Sequence, residues 1–134
     1  MVLRGIIQSG AGKGAVFTRV DWVVEQCRNM LGYEPYPGTL NVRVIDADLE
    51  RLGPFLGAQD FSLVPEDPVF CSAGVKKVTV NGIPAAVILP AEDVRIHEKR
   101  VMEIIAACSL KKTLGLDNGD CVTVTTESGP IDPA

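Results

Sequence analysis

Asn81-Gly82 stands between two runs rich in β-branched residues, 75–80 and 83–89, and no other feature constrains the fold of this chain as tightly. Both central residues of a type I′ hairpin turn must take positive φ, which Asn followed by Gly does at least cost. The two runs are therefore predicted to be antiparallel strands joined by a type I′ turn. Pro84 lacks an amide proton and is expected at an edge, at a bulge or at the start of its strand.

The rest of the chain supplies more strands than helices. Residues 2–8 form a short β-branched-rich run that ends in a loop with glycines at 10, 12 and 14, which forbid regular structure. From Thr18 the apolar residues Val20, Val23, Val24, Cys27, Met30 and Leu31 recur at helical spacing, with Thr18 as the expected cap and Gly32 as the stop. Leu40, Val42 and Val44 alternate with Thr39, Asn41 and Arg43, the pattern of a strand with one polar face. Asp46 can cap a short helix to Leu52, which Gly53, Pro54 and Gly57 are expected to break, leaving loop as far as Pro68. Residues 101–108 fit helix or strand, because a short apolar run does not fix its period. Ser109 can cap a helical turn over 110–114, and 121–124 read as a strand.

With 134 residues there is chain for one domain, expected over 1–127, followed by a mobile tail over 128–134 with two prolines. Too few crossover helices are available for a doubly wound parallel sheet, so the expected fold is mainly β with peripheral helices: a small, mostly antiparallel barrel. Hydrophobic residues at 46% and charged residues at 22% exclude a disordered chain. A net charge of −4 with 5% aromatics is the wrong supply for tracking a nucleic-acid backbone, so no nucleic-acid partner is expected. No apolar run approaches the roughly 18 residues of a membrane span, and the first residues lack a signal-peptide pattern, which predicts a cytoplasmic protein without a membrane partner. Cys27, Cys71, Cys108 and Cys121 show no metal-ligand spacing and read as reduced, mostly buried thiols.

Three groups of residues can carry chemistry. The glycine loop can turn several backbone N–H groups toward an anion, although it matches neither a Walker loop nor a Rossmann fingerprint and is also what a plain surface turn looks like. In Pro35-Tyr36-Pro37-Gly38-Thr39-Leu40-Asn41-Val42, Thr39 and Asn41 share a face and present two neutral hard oxygens, suited to a magnesium ion carried in with nucleotide phosphates or equally to an ordinary solvent face. Glu103 is the one acid inside the apolar run 101–106, where it must face a ligand, a partner or water. His97 is the single histidine; it lies among charged residues, and no G-x-S-x-G elbow accompanies it, so hydrolase readings are poor.

In this order the pieces resemble the archaeal-type CTP-dependent riboflavin kinases. The resemblance rests on the G-x-G-x-G loop at 10–14, Leu31-Gly32-Tyr33 through Val42, Asn81-Gly82, His97, Glu103-Ile104-Ile105-Ala106 and the closing Leu-x-Leu-x-x-Gly-Asp-x-Val pattern at 114–122. It implies a six-stranded cradle-loop barrel in which 103–106 is a strand. It further implies that Gly10, Ala11, Gly12, Lys13, Gly14 and Ala15 hold nucleotide phosphates and that Cys108, Ser109, Leu110 and Lys111 border the cytidine. Thr39 and Asn41 would take Mg²⁺, while Arg95, His97 and Glu103 would meet the flavin, with Glu103 also the catalytic residue. The implied reaction is riboflavin + CTP to FMN + CDP, by a monomer or small homo-oligomer whose partners are these small molecules. Three residues depart from the family pattern: Arg95 stands where threonine is usual, Ala107 where proline is, and Lys111 where arginine is. A non-catalytic nucleotide- or flavin-binding module, or a related kinase with another acceptor alcohol, are the alternatives such departures leave open.

Overall fold

A computed structural model describes residues 1–10, 18–57, 59–65, 73–90 and 100–126. In chain order the elements are β1 (Val2–Gln8), α1 (Asp21–Leu31), β2 (Leu40–Val44), a 3₁₀ turn (Asp46–Arg51), α2 (Leu52–Leu56), β3 (Phe61–Leu63), β4 (Ala73–Val80), β5 (Ile83–Pro90), β6 (Val101–Ala106), α3 (Leu110–Leu114) and β7 (Cys121–Thr126). Six strands pair antiparallel in the order β4-β5-β6-β2-β1-β7, and β7 returns to β4 through Val78–Val80 to close a barrel. The seventh, β3, adds to the other half of β4 at Ala73–Val75. This is the expected mainly-β barrel of six strands with peripheral helices.

Period-two alternation sorts the residues into an inside and an outside. Leu3, Ile7, Val42, Val44, Val78, Val87, Met102, Ile104, Val122 and Val124 fill the interior. Leu52, Phe55 and Leu56 join this core from the end where β2 leaves the barrel, and Leu110 joins it where β6 leaves. Outside, Val23 and Cys27, one turn apart on α1, cover Val75, Ala86, Ile88 and Ile105. β5 and β6 are thus apolar on both faces over much of their length, which is why 101–108 carries no clear alternation. Burial pushes the Cys27 thiol up to about 11. Cys108 is half-buried and Cys121 exposed, so the expectation of mostly buried thiols holds for Cys27 alone of these three, and Cys71 lies outside the described residues.

The turn at Asn81-Gly82 has φ of 48° and 88°, the paired positive values that type I′ requires. Pro84 is the second residue of β5 and precedes the stretch, Ala85–Ile88, that pairs with β6, so the missing amide costs no bond to that strand. Three local expectations need correction. The N-cap position of α1 is Val20, not Thr18; the Thr18 hydroxyl, buried at 1% exposure, instead accepts from the Gly38 amide at 2.8 Å. Asp46 opens a 3₁₀ turn without capping it, and its carboxylate pairs with Arg100. Gly53 and Pro54 do not break the chain but lie within α2, where a first-turn proline gives up no helical bond.

The 3₁₀ turn is pinned to β1 by Asp48, a carboxylate with 1% exposure. It accepts from the Arg4 amide at 2.8 Å and from the Arg4 guanidinium at 3.1 Å, and Arg51 also pairs with it. The Arg4 side-chain bond, more than any other influence, holds the Asp48 carboxyl down at about 2. In the unfolded chain it titrates near the ordinary value of about 3.9. The folded value is the lower one, so this carboxylate adds stability above about pH 4 that is lost as pH falls toward about 2. Asp48→Asn is expected to lower the melting temperature by several degrees at pH 7, with the gap to wild type closing between about pH 4 and pH 2 in thermal scans. A gap that stays constant down to pH 2 would show that Asp48 acts by packing alone.

Candidate functional site

Strand register assembles the site on the outer face of the barrel. Asn41 on β2 lies directly opposite Glu103 on β6 and, on its other side, directly opposite Gln8 on β1. Directly paired residues have Cβ atoms about 4.5–5.5 Å apart, so the three polar side chains form one row across three strands. Thr39, one residue before β2, adds its hydroxyl, which donates to Glu103 Oε1 at 3.5 Å. On the far side Glu103 is opposite Ile88 of β5, which is buried under α1. The acid inside an apolar run therefore has polar company on one flank and an apolar wall on the other.

The glycine loop meets this row at its first residue. A Cβ on Gly10 would fall 2.2 Å from Asn41 Nδ2 and 2.8 Å from Asn41 Cγ, so the backbone here rests on the Asn41 amide and a larger residue would have to displace it. Ser9, just before it, accepts from Asn118 Nδ2 at 2.7 Å, and Asn118 Oδ1 accepts from Lys111 Nζ at 2.7 Å.

Beside the row lies a cleft of about 150 Å³, with residues 36–40 on one wall and Ile104, Ala106 and residues 108–111 on the other. Its walls are tied together by the Tyr36 amide, which donates to the Ala106 carbonyl at 2.7 Å. Gly38, with φ of 115°, turns the chain through a conformation that L side chains rarely adopt, and its amide is anchored on Thr18. Ser109 caps α3 as expected, accepting from the Lys112 amide at 3.4 Å, and Gly115 ends it in the left-handed region.

Of the residues singled out from sequence, Gly10, Thr39, Asn41, Glu103, Cys108, Ser109, Leu110 and Lys111 converge on this one region. Ala11, Gly12, Lys13, Gly14, Ala15, Arg95 and His97 lie outside the described residues, as does the segment 128–134. Sequence reasoning passed over Gln8, Ser9 and Asn118. Gln8 looks like the end of a strand and Asn118 like a turn former; their places follow from strand register and a long-range contact, which no local pattern reports.

A thr hydroxyl, an amide oxygen and a carboxylate are all hard donors, the type that Mg²⁺ selects, and two neutral oxygens suit a cation that completes its shell with water and phosphate. The arrangement can thus hold a small divalent ion next to a carboxylate able to accept a proton.

The chain matches the family model CTP-dep_RFKase, described as a domain of unknown function (DUF120), over residues 7–126, which takes in every candidate residue just placed. The chain belongs to this family. It is 35% identical over 131 residues to a riboflavin kinase of Methanocella arvoryzae, covering 94% of this chain and 57% of that protein. It is 36% identical over 129 residues to a riboflavin kinase of Saccharolobus solfataricus, covering 91% of this chain and 71% of that protein. A riboflavin kinase of Sulfurisphaera tokodaii is 32% identical over 127 residues, with 91% and 92% covered. The chain thus spans little more than half the length of several curated relatives and nearly the whole of another.

For this family member the Gly10–Asn41 contact is directly testable. Gly10→Ala is expected to displace the Asn41 side chain, read as a shift of its side-chain amide resonances in ¹⁵N spectra, with the melting temperature changed by no more than about 3 °C because both groups lie outside the core. Unmoved Asn41 resonances would show that the loop, not the amide, gives way.

Proposed function

We propose that this chain is a riboflavin kinase that transfers the γ-phosphoryl group of CTP to the 5′-hydroxyl of riboflavin, releasing FMN and CDP, with Mg²⁺ as the metal. The observation that carries this reading is the direct cross-strand pairing of Asn41 with Glu103 beside the cleft, under the first glycine of the loop. The family match and the names of the relatives support the substrate and the nucleotide.

Phosphoryl transfer asks little covalent chemistry of a protein; it asks for positioning and for neutralisation of charge on the transferring group. Thr39 and Asn41 would hold Mg²⁺, which supplies that neutralisation when bound. Backbone N–H groups of Gly10 to Ala15, together with Lys13, would cradle the phosphates. At about 150 Å³ the cleft between residues 36–40 and 108–111 is smaller than the about 300 Å³ at which whole-ligand pockets begin, so it suits one moiety, the cytidine. Arg95, His97 and Glu103 would meet the flavin.

Glu103 has the acid–base role. Its carboxylate accepts the hydroxyl proton as the ribityl oxygen bonds to the γ-phosphorus, and the bond from that phosphorus to the bridging oxygen breaks, leaving CDP with the electron pair. Ile88 forms an apolar wall on one flank of Glu103, and Thr39 on the other donates to one of its oxygens.

The test is chromatographic: riboflavin and Mg²⁺ with CTP, ATP, GTP or UTP, following FMN and the nucleoside diphosphate together. FMN formed preferentially with CTP is the expected result; nucleotide and flavin binding without turnover would instead make the protein a binding module. Glu103→Gln is expected to lower kcat by about 10²–10⁴-fold with the KM for CTP within about threefold of wild type, as loss of a general base does. Asn41→Ala is expected to weaken Mg²⁺-dependent CTP binding measured by calorimetry while the circular dichroism spectrum is unchanged. Full activity in either variant would remove that residue from its assigned role.

A further inference from the structure

Asn118 lies in the turn between α3 and β7 and joins two segments that are far apart in the chain, the end of β1 and α3. Its amide nitrogen donates to Ser9 Oγ, beside Gly10, and its amide oxygen accepts from the ammonium of Lys111, on the wall of the cleft. The turn that carries it is itself fixed. The Gly119 amide donates to the Ile7 carbonyl at 2.8 Å and the Ile7 amide to the Asp120 carbonyl at 2.9 Å, clamping the turn to the end of β1. The Leu116 amide donates to the Lys111 carbonyl at 2.9 Å and the Asp117 amide to Asp120 Oδ2 at 2.8 Å. With its backbone anchored on both sides, Asn118 gives up little further freedom in making the bridge.

The bridging group is a neutral amide, and that has a chemical consequence. A carboxylate in its place would fix Lys111 equally well but offset its charge. The amide uses one of three ammonium donors and leaves the full positive charge with two N–H groups for an anionic ligand. Ser9, accepting from the amide, keeps its own hydroxyl proton to donate.

Resting on the kinase reading above, we propose that Asn118 is a positioning residue for the nucleotide: one amide holds the start of the glycine loop and the Lys111 ammonium in fixed register, so that both engage the same nucleoside triphosphate. The site therefore depends on a residue whose own side chain need not touch the ligand.

Asn118→Ala and Asn118→Asp separate this role from a structural one. Asn118→Ala is expected to raise the KM and calorimetric Kd for Mg²⁺–CTP about 5- to 10-fold, the scale of one or two exposed hydrogen bonds, and to speed amide hydrogen exchange at Ser9–Gly10. The KM for riboflavin and the melting temperature are expected to stay at wild-type values. Asn118→Asp retains acceptors for Lys111 and for a reoriented Ser9 hydroxyl, so exchange at Ser9–Gly10 should be wild-type while CTP affinity still falls, because the ammonium charge is offset. Unchanged CTP affinity in Asn118→Ala, or a parallel rise in both KM values with a lower melting temperature, would overturn the positioning role. Wild-type affinity in Asn118→Asp would overturn the charge argument. Wild-type protein that binds CTP in an Asn118-dependent way yet forms no FMN would overturn the riboflavin reading and leave this one standing; FMN formation insensitive to Asn118 would do the reverse.

Discussion

β4 pairs with β5 along its whole length on one edge and divides its other edge between two partners, β3 along its first residues and β7 along its last, and that division turns a sheet into a barrel. Without the Val78–Val80 pairing to β7, the sheet would end in two open edges and its inner face would lie exposed to water. With it, side chains from six strands and two short helices fill the interior, each of the larger aliphatic ones worth about 1.5–3 kcal/mol in burial. A filled barrel has no room inside for a nucleotide. Polar chemistry is therefore confined to the outer face and to the end where β6 leads into α3, and that is where Asn41, Glu103 and the cleft are found.

What could be read from sequence is what local chemistry decides. Asn81-Gly82 announces its turn because the required φ values belong to those two residues and to no distant contact. β2 announces itself because its outer face is polar and its inner face is not, so the alternation survives in the letters. β6 does not, because Ile105 is buried under α1 while Ile104 is buried in the barrel, and two apolar faces erase the period. β3 and α2 were hidden for different reasons: three residues are too few to show a pattern, and Gly53-Pro54 signals a break that the first turn of a helix tolerates.

The site divides in the same way. Thr39 and Asn41 were visible as a pair because two residues along one strand always share a face. Glu103 was visible as an anomaly, a charge within an apolar run, but its neighbours were not. That Asn41 is the residue opposite it, with Gln8 beyond, depends on the register of β1, β2 and β6, which is set by how the whole core packs. Thr18 gives the clearest instance of tertiary context overriding a local rule: a residue well suited to cap α1 spends its hydroxyl on the Gly38 amide.

Interleaving of site and core along the same strands gives the protein two nearly independent alphabets. Odd positions of β2 and β6, such as Asn41 and Glu103, face out, while even ones, such as Val42, Met102 and Ile104, face in. Exchanges among aliphatic residues at the even positions tune rigidity and thermal tolerance with little effect on the polar row, and the polar odd positions, Asn41 and Glu103, can change specificity without reopening the core, whereas Ile105 is held under α1. The same arithmetic makes insertions hazardous. One extra residue within β2 would turn the polar row into the barrel and the core residues out to water, so the strands must keep count where a loop away from the site need not.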